Sequence, residues 1–138
     1  MKKLVLGLLS LTLLVTACKK SKDAPAINKE NISGTYKLTE IMVSMNGSAY
    51  QSADFRAECA KDDLYKLNAD NSFNYVDAGI VCNPAGDLTG TWALDGTVLS
   101  SNNINGTISK FDGSSMEVTV TSTDQGTTST WKSTFVKQ

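Results

Sequence analysis

Residues 88–101, LTGTWALDGTVLSS, contain the pattern that decides the fold. Every second residue from Leu88 to Leu94 is apolar or glycine, and the intervening positions hold two threonines and an alanine. This period of two is typical of a strand that buries one face. Asp95-Gly96 then separates two such runs, which is a strong signal for a hairpin turn. The stretch predicts two antiparallel strands, each with one solvated face.

The same alternation recurs along the rest of the chain. It is found at residues 104–109, 116–121 and 131–135, and turn residues separate the runs at 68–71, 102–103, 112–113 and 124–126. Counting outward gives about eight strands joined by sequential hairpins, and a meander of eight strands can close into a barrel without open edges. We therefore predict an all-β fold, an antiparallel eight-stranded up-and-down β-barrel with one short helix at most.

The first strand, at about residues 34–44, carries a local irregularity. Its apolar residues change face between Leu38 and Ile41, because the spacing between them is odd. A β-bulge near residues 39–40 would return both to the same face. The only candidate helix is the short segment 52–62, SADFRAECAKD.

The N-terminal segment has the layout of an export signal. Lys2-Lys3 precedes a mainly apolar run from Leu4 to Ala17, which is shorter than the about 20 residues of a membrane-spanning helix. The run ends in Val15-Thr16-Ala17-Cys18, which resembles the lipobox of bacterial lipoproteins. That resemblance implies that Cys18 becomes the lipidated first residue of the mature chain. A signal segment followed by a free structural cysteine is the alternative.

We divide the chain into a signal peptide at 1–17, a lipid-anchored flexible tether at 18–30 and a folded domain at 31–138. The tether is charged and lacks aromatic residues, so it cannot bury enough apolar surface to order itself. Six of the 13 basic residues but only two of the 14 acidic residues precede residue 31, which leaves the domain a net charge of −5. This charge excludes nucleic acid as an expected partner. The predicted location is the bacterial cell envelope, at the outer membrane, with the membrane contacted through Cys18.

The remaining cysteines, Cys59 and Cys82, form an even pair once Cys18 carries lipid. An exported protein meets an oxidising compartment, so we predict a disulfide between them, with two buried free thiols as the alternative. The spacing is not CxxC, which argues against a redox-active pair.

Histidine is absent from all 138 residues. Its absence excludes a Ser-His-Asp triad, a Cys-His dyad and every histidine-containing zinc site. We expect no catalytic residue, no metal and no cofactor. Asp62-Asp63, the densest acidic pair, is interpreted as solvated loop acids or as a helix end that leads into a strand. A calcium-binding loop that also uses Asp54 or Glu58 is the alternative.

Several segments, taken in order, resemble the lipocalin-like domains of bacterial lipoproteins. The matching segments span residues 32–137 and are ISGTYKLTEI, CAKDDLYKLNADNSFNY, Cys82, LTGTWALDGTVL, ISKFDGSSMEVTV and TWKSTFVK. Ligand-carrier lipocalins have Gly-x-Trp in the first strand, where this chain has Gly34-Thr35-Tyr36. The resemblance implies a lipocalin-like barrel over almost the whole mature chain.

An eight-stranded barrel is either filled by its own side chains or holds one small ligand. The candidates for lining such a ligand site are Tyr36, Leu38, Tyr75, Trp92, Met116, Val118 and Trp131. The same residues are also suited to plain core packing. We expect a monomeric, non-catalytic domain that binds a small apolar molecule in the barrel. The alternative is a structural or protein-interaction module of the envelope with a filled core.

Overall fold

The structure, a computed structural model, describes residues 24–138. The predicted signal peptide, Cys18 and the first part of the tether lie outside the described residues. The described part contains α1 (Lys29–Ile32), β1 (Gly34–Met45), β2 (Gln51–Ser52), a 3-10 turn (Glu58–Ala60), β3 (Leu64–Leu67), β4 (Ser72–Val76), β5 (Leu88–Asp95), β6 (Val98–Ser101), β7 (Asn105–Phe111), β8 (Ser115–Asp124) and β9 (Thr127–Lys137).

All of these strands belong to one antiparallel sheet. From β3 onward each strand pairs with the next along the chain, and β1 pairs with both β3 and β9. Eight strands therefore close into a ring, which confirms the predicted all-β, eight-stranded barrel. The two-residue β2 is a ninth strand outside this ring. It pairs with Met42 and Val43 of β1, on the same edge of β1 that pairs with β3 nearer its start.

The predicted irregularity in β1 is present. The pairing of β1 with β9 shifts between Leu38 and Glu40, which leaves Thr39 as the extra residue. The Thr39 hydroxyl donates to the Thr134 carbonyl oxygen at 3.1 Å. The bulge lets Leu38 and Ile41 face the same side of the sheet, because they lie opposite Phe135 and Ser133 of β9.

The predicted helix at 52–62 is wrong. Phe55, which would have anchored its buried face, is 86% exposed, so a helix there would gain no packing energy. The Arg56 guanidinium instead donates to the carbonyl oxygen of Leu38 at 3.0 Å, and this contact holds the segment against β1. Only the single 3-10 turn remains helical in this segment.

The α-helix lies earlier, where the tether was expected to reach the domain. The side chain of Asn28 caps α1 by accepting from the backbone N–H of Asn31 at 2.8 Å. Ile32 at its end has no exposed surface, and Ile27 before it packs against the core. This short helix therefore closes one end of the ring.

The two ends of the ring differ. We call the end with α1 and the turns at 68–71 and 112–115 the lower end, and the end with loops 53–63 and 77–87 the upper end. Among residues 24–138, the apolar core and the residues packed against it run from Ile27 to Phe135.

Candidate functional site

The seven residues predicted to line the interior fall into two groups. Six of them are core members or pack against the core: Tyr36, Leu38, Tyr75, Trp92, Met116 and Val118. Trp131 shares the inner face of β9 with Phe135, as predicted, but it is 38% exposed. Trp131 therefore lies on the inner face but above the packed core.

The lower half of the barrel is filled by its own side chains. The hydroxyl of Tyr36, which has no exposed surface, donates to the carbonyl oxygen of Ile32 at 2.7 Å. Trp92 is likewise buried, and its Nε1 donates to the carbonyl oxygen of Asn68 at 2.8 Å. Burial raises the pKa of Tyr36 to about 12, because the tyrosinate form would lose its hydration. Tyr36 and Trp92 thus both donate hydrogen bonds to backbone carbonyl oxygens, and their rings fill the lower end of the barrel.

A cluster of aromatic rings lies above this filled part. The ring of Tyr65 meets the rings of Tyr75 and Phe135 edge-on, with centroids 5.1 Å and 5.3 Å away. The Tyr75 hydroxyl donates to the buried carboxylate of Asp63. Burial, and then this hydrogen bond, raise the pKa of Tyr75 above its ordinary value. The cluster forms the upper boundary of the densely packed interior.

The inner face continues beyond the cluster on three adjacent strands. Trp131 of β9 lies directly opposite Val43 of β1 and Val120 of β8. Val120 is 42% exposed, although it follows buried Val118 on the same face of β8. We call Val43, Trp131 and Val120 the upper apolar row. The row is open because β1, β8 and β9 extend for ten residues or more, whereas β3 has four.

The predicted disulfide between Cys59 and Cys82 is present, with the two Cα atoms 5.3 Å apart. It joins the segment before β3 to the loop after β4, and both segments lie at the upper end. The same two loops carry three highly exposed apolar residues, Phe55 at 86%, Ile80 at 64% and Val81 at 61%. The upper end therefore combines covalently linked loops with an unusually apolar surface.

The acidic residues of the upper loops accept backbone hydrogen bonds. Asp63 accepts from the N–H of Ala78 at 3.0 Å, and Asp62 accepts from the N–H of Ile80 at 2.9 Å. The interpretation of this pair as solvated acids is wrong for Asp63, which is 1% exposed. Its burial is compensated by the donors that it accepts from. Across residues 24–138, no group of three or more His, Cys, Asp or Glu side chains is arranged to hold a metal ion.

Sequence reasoning missed Arg56, since a single arginine in a loop has no distinguishing pattern. Its guanidinium pairs with the Asp54 carboxylate at 2.8 Å and also donates to the carbonyl oxygens of Leu38 and Ala60. The hydrogen bond from Arg56 lowers the pKa of Asp54. The cation is thus already satisfied, so it is poorly suited to attract an anionic ligand to the upper end.

A comparison with protein families matches residues 32–128 to a lipocalin-like domain. No curated protein and no solved structure matches the chain. In the part of the chain that the structure describes, no helix has the length and apolar character needed to cross a membrane. The family match covers more than half of the chain and includes every strand from β1 to β8.

Proposed function

The chain belongs to the lipocalin-like domain family, and from that premise we propose that it is a lipid-anchored, non-catalytic protein of the bacterial cell envelope that binds a small apolar molecule at the upper end of its barrel. The observation that carries this proposal is the upper apolar row, an inner-face surface of Val43, Trp131 and Val120 above a filled core. Binding sites for small molecules are usually concave, apolar and placed at the mouths of such barrels.

The filled lower half limits how the ligand is held. Tyr36 and Trp92 are buried and hydrogen-bonded internally, so a ligand chain cannot enter as far as the lower end without displacing core side chains. The ligand lies instead against the Trp131 indole, between the long strands and the upper loops. Covering the exposed parts of Trp131 and Val120 supplies the hydrophobic driving force for binding.

The charged side chains of the upper loop 53–63 favour a neutral ligand. Arg56 is paired with Asp54, and the carboxylate of Asp63 is bound to Tyr75 and to the loop backbone. Neither charge is available without breaking a partly buried hydrogen bond, which is costly. We therefore propose an alcohol, ester or hydrocarbon chain in preference to a free fatty acid.

The proposed anchor is at the opposite end of the barrel. Pro25, near the start of the described chain, lies close to Gly113 in the lower turn between β7 and β8. Only a few residues separate Pro25 from Cys18, and an extended chain spans at most about 3.5 Å per residue. A lipidated Cys18 would hold the lower end toward the outer membrane and turn the upper end away from it.

Ligand binding is tested by tryptophan fluorescence with residues 24–138 and 1-decanol. A Trp92→Phe variant leaves Trp131 as the only indole, and we expect a saturable blue shift of its emission as the indole is covered. Val120→Ser should weaken binding roughly tenfold, the cost of losing a covered apolar side chain. Val98→Ser is the matched control, because Val98 is similarly exposed at 47% but lies on the outer face of β6.

Two outcomes would refute ligand binding at the upper apolar row. One is an emission spectrum that 1-decanol leaves unchanged, and the other is equal binding by the Val120→Ser and Val98→Ser variants. The anchor is tested separately by growing cells with an alkyne fatty acid. The full chain should take up the label, and Cys18→Ser should not; a labelled Cys18→Ser chain would overturn lipidation at this residue.

The second candidate is the protein-interaction role, which the exposed side chains of Phe55, Ile80 and Val81 favour. Contiguous exposed apolar patches are typical of interaction surfaces. The fluorescence titration separates the two roles, because a protein-interaction module with a filled core predicts no response to 1-decanol.

A further inference from the structure

The exposed apolar side chains of the domain are concentrated at the upper end. Of the nine large apolar residues that are exposed among residues 24–138, only Val98 lies elsewhere, at the turn between β5 and β6. The other eight belong to the upper loops and turns or to the upper parts of β1, β5, β8 and β9: Met45, Tyr50, Phe55, Ile80, Val81, Leu88, Val120 and Trp131. Exposed apolar surface gathered at one end of a domain is typical of an interaction site.

The net charge is concentrated at the same end. Loops 53–63 and 77–87, together with Asp124 at the tip of the β8–β9 hairpin, contain seven acidic residues and two basic ones. The rest of residues 31–138 contains five of each, so the whole net charge of −5 belongs to the upper end. Charge gathered on one side of a protein produces a field that attracts partners of the opposite sign.

Most of the upper acids have no cation beside them. Two of the seven are paired within the upper end, Asp54 with Arg56 and Glu58 with Lys61. The five that form no salt bridge with any described residue are Asp62, Asp63, Asp77, Asp87 and Asp124. These five carboxylates account for the net charge of the domain.

The carboxylates without a cation lie next to exposed apolar residues. Asp62 accepts from the backbone N–H of Ile80 at 2.9 Å, and its other carboxylate oxygen accepts no hydrogen bond from any described residue. Asp77 accepts from the N–H of Cys82 at 3.0 Å, directly after exposed Val81. A partner that covers Ile80 and Val81 therefore also meets negative charge.

The two upper loops are held in shape before any partner binds. The disulfide between Cys59 and Cys82 links one loop to the other. Asp77 also accepts from the N–H of Gly86 at 2.8 Å, and Asp87 accepts from the N–H of Asp77 at 2.9 Å, so loop 77–87 is closed on itself. Little loop ordering then opposes binding, and more of the interaction energy remains as affinity.

The negative charge decides between the possible occupants of this surface. Two copies of the chain that met through their upper ends would bring a net charge of −5 against another of −5, and like charges disfavour such a contact. An anionic lipid surface is disfavoured for the same reason. A neutral lipid surface would cover the apolar side chains, but it would remove water from the carboxylates without supplying a cation.

We propose that the upper end docks a cationic amphipathic segment of a partner protein. Apolar side chains of that segment would cover Ile80 and Val81, and its lysine or arginine side chains would lie against Asp62 and Asp77. Amphipathic segments commonly bind through a few apolar anchors in this way. The inference names the partner for the protein-interaction role, so it rests on that second candidate and not on the binding of an apolar molecule.

The test is site-specific photocrosslinking of the full chain in growing cells. The photoreactive residue p-benzoylphenylalanine is placed at Ile80, whose side chain is 64% exposed, and at Val98 as the matched position, which is 47% exposed but lies away from the upper loops. We expect position 80 to crosslink to a protein, and mass spectrometry should show that the crosslinked peptide has more lysine and arginine than acidic residues beside its apolar ones. Position 98 should not crosslink to that peptide.

Charge variants test the electrostatic part of the proposal. Asp62→Asn with Asp87→Asn removes two charges and keeps an amide oxygen for the N–H groups of Ile80 and Asp77. The crosslink from position 80 should weaken roughly fourfold, or twofold for each charge, as expected for surface ion pairs. Asp70→Asn with Asp95→Asn is the matched control, because it removes two charges from turns at the lower end and should leave the yield unchanged.

Four results would overturn the proposal. They are a crosslink only to a second copy of the chain, a crosslink to lipid or to nothing, a crosslinked peptide that is neutral or acidic, and equal yields in the two double variants. The peptide is identified with all native carboxylates in place, so a double variant that fails to fold leaves that result standing. The 1-decanol titration reports on the upper apolar row alone, so failure of ligand binding is distinguishable from failure of docking.

Discussion

Replacing both disulfide cysteines, Cys59→Ser with Cys82→Ser, should lower the free energy of unfolding by about 3 kcal/mol. The two residues are 23 positions apart, and closing a loop of this length restricts the unfolded chain by that amount in the chain-entropy model. The folded state should change little, because Asp62 and Asp77 hold the same loop through the N–H groups of Ile80 and Cys82. The loss is a large fraction of the 5–15 kcal/mol that stabilises a typical domain.

The measurement is urea unfolding of residues 24–138, followed by tryptophan emission, for the oxidised protein, the reduced protein and the double variant. The reduced protein and the double variant should agree, and their midpoint in a thermal scan should fall by about 12 °C, at roughly 4 °C per kcal/mol. Their dependence on urea should steepen, because an uncrosslinked unfolded chain exposes more surface. A loss below about 1 kcal/mol with an unchanged slope would refute restriction of the unfolded chain as the source of the stabilisation.

Three further predictions follow from single residues. Burial raises the pKa of Tyr36 to about 12 from 10.0, so the unfolded state loses its proton first. Stability should be intact below pH 10 and fall as the pH rises toward about 12, and Tyr36→Phe should reduce that fall in urea titrations at stepped pH. Hydrogen bonds from the two serines after Gly113 hold the pKa of Asp112 well below its usual range. The free energy of unfolding should therefore drop as the pH falls below about 4. An equal drop in the Asp112→Asn variant would contradict this explanation. Gly106→Ala should lower the free energy of unfolding by about 3 kcal/mol, whereas Gly96→Ala should lower it by about 1 kcal/mol. Both glycines have positive φ, but a Cβ at Gly106 would lie 2.7 Å from a backbone oxygen, whereas none lies within 4 Å at Gly96; equal chemical-denaturation midpoints would contradict the steric argument.

The strands and the disulfide were predictable because their signals are local. Alternation from Leu88 to Leu94 identifies β5, and Asp95-Gly96 identifies its hairpin, since both depend on neighbouring residues. The bulge in β1 followed from the odd spacing between Leu38 and Ile41, which only an extra residue can reconcile with one buried face.

The helix and the buried acid were not predictable in the same way. Segment 52–62 has helical spacing, but the contact of Arg56 with the Leu38 carbonyl joins residues 18 positions apart. Asp63 looks like a loop acid until folding brings the N–H of Ala78 and the hydroxyl of Tyr75 to it. Tertiary contacts of this kind override local propensity and leave no periodic trace in the sequence.

The sequence by itself determined which faces of the strands are apolar, how many strands close the ring and which cysteines pair. Only the tertiary structure decided which inner-face residues are enclosed. Trp92 and Trp131 both lie on inner faces, yet the first is 2% exposed and the second 38%. The physical reason lies in the ends of the strands. Long β8 and β9 carry Trp131 beyond the upper ends of the short strands. Trp92 lies at the lower end, where the turn at 68–71 packs beside it and accepts hydrogen bonds from its backbone N–H and its indole. Alternation specifies a side of the sheet, and the height along the barrel axis depends on the pairing register.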